Sequence, residues 1–207
     1  MPLPLALPPA DPAFEIVAAT TGYSQGSAQT EGIQVKPRAT LRIGSVQAGA
    51  IWRNIDSDLA SGVGAMFMRL SKPVGRLRLE GGIAYRMRTG VKVPHQSGAW
   101  EFSAAARRDF GKLSLRANAE FSPREFEKGY NLYVEATPSI AIDSETSLSA
   151  SLGRRQRNGP DFTALNAGLT RTVVRGLALD LRYFATSRPD LGERYKARLV
   201  VAGRLTL

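Results

Sequence analysis

From about Phe14 to the C-terminus, apolar and polar residues alternate with a period of two, and no 3.6-residue stripe runs through the chain. The clearest stretch is 77–88. Leu77, Leu79, Ile83, Tyr85 and Met87 fall on one face, and Arg78, Glu80, Arg86 and Arg88 on the other. A helix would scatter those arginines around its circumference, whereas a strand sends successive side chains to opposite sides and separates the two sets. The pattern predicts strands over 14–24, 31–43, 46–55, 61–71, 76–88, 99–108, 112–122, 129–141, 146–154, 162–171, 177–186 and 194–207. That is about twelve strands of roughly ten residues, the length of a tilted strand crossing a bilayer. Facing is ambiguous in 14–24, 46–55, 61–71 and 162–171, where a bulge or a shifted boundary would account for the mixed pattern.

The connections alternate in length. Gly44-Ser45, Pro73-Val74-Gly75, Asp109-Phe110-Gly111, Asp143-Ser144-Glu145 and Val173-Val174-Arg175-Gly176 have tight-turn chemistry. Longer polar loops lie between them, around 25–30, 56–60, 89–98, 123–128, 155–160 and 187–193. Short and long connections in alternation predict an all-β, up-and-down antiparallel barrel with both termini at the short-turn rim, as in transmembrane barrels of the outer membrane.

Aromatic placement distinguishes a membrane barrel from a soluble one. Trp52, Tyr85, Phe121 and Tyr183 fall near the ends of strands running toward the long loops, and Trp100, Tyr130 and Tyr195 near the starts of strands running away from them. All seven are expected at one level as an interfacial girdle, since Trp and Tyr hold an apolar ring in lipid and a polar atom in water. The opposite girdle is thin, with Phe14 and Phe110 as candidates. The aliphatic face, including Leu77, Leu79, Leu113, Leu132, Leu152, Leu181 and Leu205, is expected to carry no charge. The other face is expected to line a lumen with Lys36, Arg38, Arg42, Arg78, Glu80, Arg86, Arg88, Arg116, Glu120, Arg182 and Arg198, because arginine near the middle of a lipid face costs about 2–4 kcal/mol.

Composition narrows the function. The 207 residues hold 28 Lys+Arg against 18 Asp+Glu, a formal charge of +10 that favours anionic solutes or surfaces. There is no cysteine and one histidine, which excludes a disulfide scaffold, a thiol nucleophile and Cys- or His-rich metal sites. No apolar run is long enough for a transmembrane helix. Residues 1–13, with five prolines in the first twelve, are expected to be a poorly ordered leader or signal remnant, and 14–207 the barrel.

Two segments carry a family resemblance. Gly22-Tyr23-Ser24-Gln25 with Ala48-Gly49-Ala50-Ile51-Trp52-Arg53-Asn54-Ile55-Asp56 is the first. Asp161-Phe162-Thr163, Ala167-Gly168-Leu169-Thr170 and 177–183 make up the second. Together they resemble the TorF-type (Gcw_chp) porins of Gram-negative bacteria, over most of residues 20–207. The resemblance implies an outer-membrane barrel with a pore role and brings no catalytic or ligand residues. The strong basicity and the terminal Leu207 depart from the pattern.

Signals for chemistry are weak. His95 and Ser97 share one loop with Pro94, a poor platform for an oriented base and nucleophile, so no enzyme is expected. The carboxylate pairs Glu125/Glu127 and Asp56/Asp58 fit solvated loops better than a divalent-cation site, and neither metal nor cofactor is expected. The cluster Arg154-Arg155-Gln156-Arg157 is placed in a long loop. It lacks interleaved aromatics for nucleic acid and would face lipopolysaccharide phosphates at an outer rim. Three readings follow. The leading one is an outer-membrane porin passing small polar, anionic solutes through an arginine-rich lumen, with lipid and lipopolysaccharide around it. The second is a sealed barrel with a structural or lipopolysaccharide-binding role. The third is a soluble basic β-sandwich. The sequence assigns no oligomeric state.

Overall fold

The computed structural model describes residues 9–92, 98–127 and 129–207. Twelve antiparallel strands close into a barrel. In chain order, β1 is Ala10–Ala19. The two-residue strands β2 (Tyr23–Ser24) and β3 (Ser27–Ala28) pair only with each other. The wall continues through β4 (Gln34–Ile43), β5 (Val46–Asn54), β6 (Ala60–Val74), β7 (Leu77–Val91), β8 (Gly98–Phe110), β9 (Leu113–Ser122), β10 (Asn131–Ala141), β11 (Thr146–Arg157), β12 (Phe162–Val174), β13 (Leu177–Thr186) and β14 (Arg198–Thr206). Each wall strand pairs with its neighbours in order, and β1 completes the cylinder by pairing with both β4 and β14. At the seam, Phe14 N donates to Leu207 O at 3.2 Å and Leu207 N donates to Phe14 O at 2.9 Å.

The first strand starts earlier than the alternation predicts, so residues 10–13 of the proline-rich segment belong to the wall. Pro12 is tolerated there for a geometric reason. The N–H of Phe14 points toward β14, so the nitrogen of Pro12, two residues earlier, points the same way, past the end of that strand. No ladder hydrogen bond is lost. Four of the tight hairpins turn on a left-handed glycine, Gly44, Gly75, Gly111 and Gly176, with φ between 58° and 84°. They share one rim with the start of β1 and the end of β14, while the long connections share the other.

The cross-section is inside-out relative to a soluble protein. The largest fully buried side chains are polar, Asn131 and Ser122, whereas Leu152, Met66 and Leu199 are 58%, 56% and 64% exposed. A sandwich would bury those leucines between its sheets; here they form an outward apolar band. The ambiguous strands now have explanations. β5 and β6 turn Ile51, Ala65 and Phe67 inward, which blurs the contrast between faces. Among the described residues the ladders show one register shift, between Thr172 and Val174 of β12, just beyond the ambiguous span 162–171.

The outward face is not free of charge. By register, Lys72, Arg108 and Arg171 sit outward beside Leu79, Leu77 and Leu179, and Arg154 beside Val134. Each lies within a few residues of a strand end, where a long stem lets the charged head reach water. The basic cluster 154–157 is therefore in β11 rather than in a loop, with Arg154 and Gln156 outward and Arg155 and Arg157 inward.

Leu181 stands at mid-height of the outward band, between Leu169 and Val201. In lipid vesicles Leu181→Arg is expected to cost about 2–4 kcal/mol. Ala105→Arg, inward beside Glu80, is expected to cost far less. Urea unfolding followed by tryptophan fluorescence reads both.

Candidate functional site

Strand parity sends one set of polar side chains inward from every wall strand, and the interior has two unlike arcs. Along β14, β4, β5, β6 and β7 it receives Arg204, Lys36, Arg38, Arg42, Arg53, Arg69 and Arg78. None of these has an ion-pair partner among the described residues, and the Nε atoms of Arg38 and Arg53 are buried without a hydrogen bond. Arg38 and Arg69 instead flank the inward ring of Phe67, each 5.1 Å from its centroid.

Most cations nearer the opposite arc are neutralised, with the exception of Arg157, whose guanidinium donates to Tyr195 and whose Nε is buried without a hydrogen bond. Arg86 donates to Glu101 at 2.9 Å and to Glu125 at 3.3 Å, and Arg155 donates to Glu125 at 2.9 Å. Arg116 pairs with Glu80 at 2.9 Å, and Arg182 with Asp180 at 3.0 Å. Arg182 also reaches Asn166 and Ser149. The remaining wall there is neutral or acidic, with Asn118, Glu120, Tyr133, Glu135 and Ser151 facing inward.

Two connections fold into this interior from the long-loop rim. Between β1 and β4 the β2–β3 hairpin crosses it. Gln25 Nε2 donates to Glu120 at 2.9 Å, Asn131 Nδ2 donates to Gln25 Oε1 at 3.0 Å, and Tyr23 stacks on Phe184 with centroids 4.0 Å apart. Gln25 and Gly26 turn the tip with φ of 49° and 79°. A Cβ at Gly26 would collide with the Ala164 methyl, so the tip is seated on β12. The second connection brings in Phe126, buried beneath Arg86 and Arg88, and Glu125, which ties Arg86 to Arg155.

Separate spaces remain. One of about 310 Å³ lies among Glu15, Lys36, Thr170, Asp180, Arg182 and Arg204. One of about 220 Å³ lies between the hairpin and β5–β7, and one of about 250 Å³ lies between the hairpin and β9, β10, β12 and β13.

Lys36, Arg38, Arg42, Arg78, Glu80, Arg86, Arg88, Arg116, Glu120 and Arg182 all lie on inward positions. Arg198 also points inward, and its guanidinium donates to Glu193 O at 2.9 Å near the rim. Of the aromatics, Trp52, Tyr85, Trp100, Phe121 and Tyr183 are outward near the long-loop rim, and Tyr130 is exposed just before β10. Tyr195 is elsewhere. The expected strand 194–207 starts only at Arg198, and the preceding residues form two short 3-10 turns. Tyr195 there packs edge-on against the buried Phe162 and accepts a hydrogen bond from Arg157 at 2.9 Å.

In the same connection the Arg188 guanidinium holds the Asp190 carboxyl below its ordinary range, and Lys196 does the same for Glu193. Asp56 accepts from Glu31 N, and Glu125 is taken by arginines. No cluster able to hold a metal occurs among the described residues. The loop holding His95 lies outside them. Sequence reasoning missed Arg53, Arg69 and the hairpin. Arg53 and Arg69 lie on the two strands with the least facial contrast, and the turn signal Ser24-Gln25-Gly26-Ser27 straddles the boundary between the expected strand 14–24 and the expected loop 25–30.

No protein-family model and no curated protein sequence matches the chain. In fold it is similar to a KdgM porin, with a TM-score of 0.68 over 93% of this chain and 98% of that one at 8% identity. It is also similar to a NanC porin, with a TM-score of 0.67 over 93% and 98% at 6% identity. A third similar structure is the COG4313 outer membrane channel from Pseudomonas putida F1, with a TM-score of 0.60 over 97% and 96% at 12% identity. The chain thus shares the barrel architecture of outer-membrane channels along nearly its whole length.

Arg86 is 12% exposed and its partner Glu101 19%, so removing the guanidinium leaves the shielded Glu101 carboxylate without an ion pair, while Glu125 keeps Arg155. Arg86→Met is expected to destabilise the barrel by about 2–3 kcal/mol. The half-exposed pair Arg116–Glu80 predicts less than about 1 kcal/mol for Arg116→Met. Urea midpoints in lipid vesicles compare the two.

Proposed function

We propose that this protein is an outer-membrane porin through which small polar solutes, anions above all, diffuse passively. The observation that carries the reading is the basic set Lys36, Arg38, Arg42, Arg53, Arg69, Arg78 and Arg204, seven inward cations that form no ion pair among the described residues, with Glu15 the carboxylate set opposite Arg38 and beside Lys36. Fixed charge in a narrow, low-dielectric tube concentrates counter-ions and sets selectivity. Unpaired guanidinium groups leave that potential positive, and paired ones such as Arg86 and Arg182 add little to it. Within the inward set, Arg38, Arg42, Arg53, Arg69 and Lys36 are therefore the selectivity residues.

Residence in the bacterial outer membrane is supported by the outward apolar band, by aromatics gathered near one rim, and by likeness to outer-membrane channels. Lipopolysaccharide phosphates are apt partners for outward Arg154 near the long-loop rim. The TorF-type resemblance points to the same class, and the KdgM porin was also solved in complex with disordered oligogalacturonate. The reading involves no catalysis and no cofactor.

A second reading, a sealed barrel, draws on the hairpin across the interior. Planar-bilayer recordings decide between them. In a gradient of potassium chloride the reversal potential is expected to show anion preference, reduced in Arg53→Gln/Arg69→Gln. Cation preference would contradict the anion assignment, and an absence of conductance would favour the sealed barrel.

A further inference from the structure

We propose that the hairpin Tyr23–Ala28 divides the interior into two lanes of unlike charge, and that anions pass only through the lane between Gln25 and β5–β7. The inference rests on the porin reading and names the route within it. The hairpin is rooted between β1 and β4, yet its tip reaches the far wall, with Gly26 seated against Ala164 and Gln25 bonded to Glu120 and Asn131. Gln25 and Glu120 border the space on either side, so their 2.9 Å hydrogen bond is part of the partition.

The two spaces differ in what they offer an ion. The lane toward β5–β7 is bordered by three guanidinium groups, Arg53, Arg69 and Arg86, against two carboxylates, Glu101 and Glu120, and of the three only Arg86 is ion-paired among the described residues. The surplus of guanidinium charge in that lane favours an anion. The other lane has no basic residue in its lining. Its carboxylates, Glu120 and Glu135, accept only from neutral donors: Gln25 for Glu120, and Tyr133, Thr137 and Ser151 for Glu135. Uncompensated carboxylates in a confined space repel anions. The tip is held by contacts on three wall strands besides Ala164, so the division is a fixed feature of the wall rather than a loose loop.

The chain has no cysteine, which permits single-cysteine labelling. Ala65→Cys borders the basic lane, and Asn166→Cys borders the acidic one, where Asp180 still holds Arg182. Each variant, shown to be folded by heat-modifiable gel migration, is treated with an anionic methanethiosulfonate, checked by mass and recorded in a planar bilayer. Labelled Ala65→Cys is expected to lose roughly threefold or more of its conductance and its anion preference. Labelled Asn166→Cys is expected to keep both. Failure of Asn166→Cys to react also supports the proposal, since a lane closed to the reagent passes no anion.

Replacing residues 23–28 by a glycine-serine linker is expected to make the two positions respond alike. Equal losses with the hairpin intact, a loss at Asn166→Cys alone, or failure of Ala65→Cys to react would overturn the lanes while leaving a porin. Absence of current from the unlabelled protein would overturn the porin reading beneath them.

Discussion

Every backbone N–H and C=O in the wall of this protein must find its partner within the wall, and closure of the sheet satisfies that demand. An open sheet of the same strands would end in two rows of unpaired groups, unacceptable where the surroundings are apolar. The short β1–β14 ladder is therefore the critical seam. Once it is made, parity assigns all other side chains to one of two environments. Leucine and methionine of the wall go outward, and most of its arginine and serine go inward, the outward arginines lying near strand ends.

An interior lined by polar groups has to be organised electrostatically rather than by packing. The protein does so unevenly. Arg86, Arg155, Glu101 and Glu125 form a nearly buried cross-linked group at the long-loop end, where carboxylates and guanidinium groups satisfy each other. On β4, β5 and β6 the cations outnumber the carboxylates near them, Glu15, Glu101 and Glu120, and form no ion pair among the described residues. A mutually satisfied network rigidifies, whereas an unsatisfied one projects a field. The first ties the wall together at the long-loop end, and the second leaves one side of the interior basic.

Alternation made the architecture legible wherever the two faces differed strongly. The reading of 77–88 places every residue on the side where β7 presents it, and 177–186 coincides with β13. Legibility failed where the faces were chemically alike. In β5 the small residues Ala48, Gly49 and Ala50 offer no contrast, and in β6 inward Phe67 imitates an outward residue, so Arg53 and Arg69 went unnoticed. The hairpin was hidden for another reason. Its fold depends on Glu120, Asn131 and Ala164, remote in sequence, and no local pattern announces a loop that turns inward. Tyr195 was misplaced because alternation continued on paper past the true start of β14.

The two tryptophans report the orientation of the wall directly. Trp52 and Trp100 are both outward near the same rim. In vesicles of lipids brominated at different acyl carbons, both are expected to be quenched most by bromines close to the headgroups and least by those near the bilayer centre. Fluorescence that no brominated lipid quenches would mean that the rings face protein, and the outward band would then not be a membrane surface.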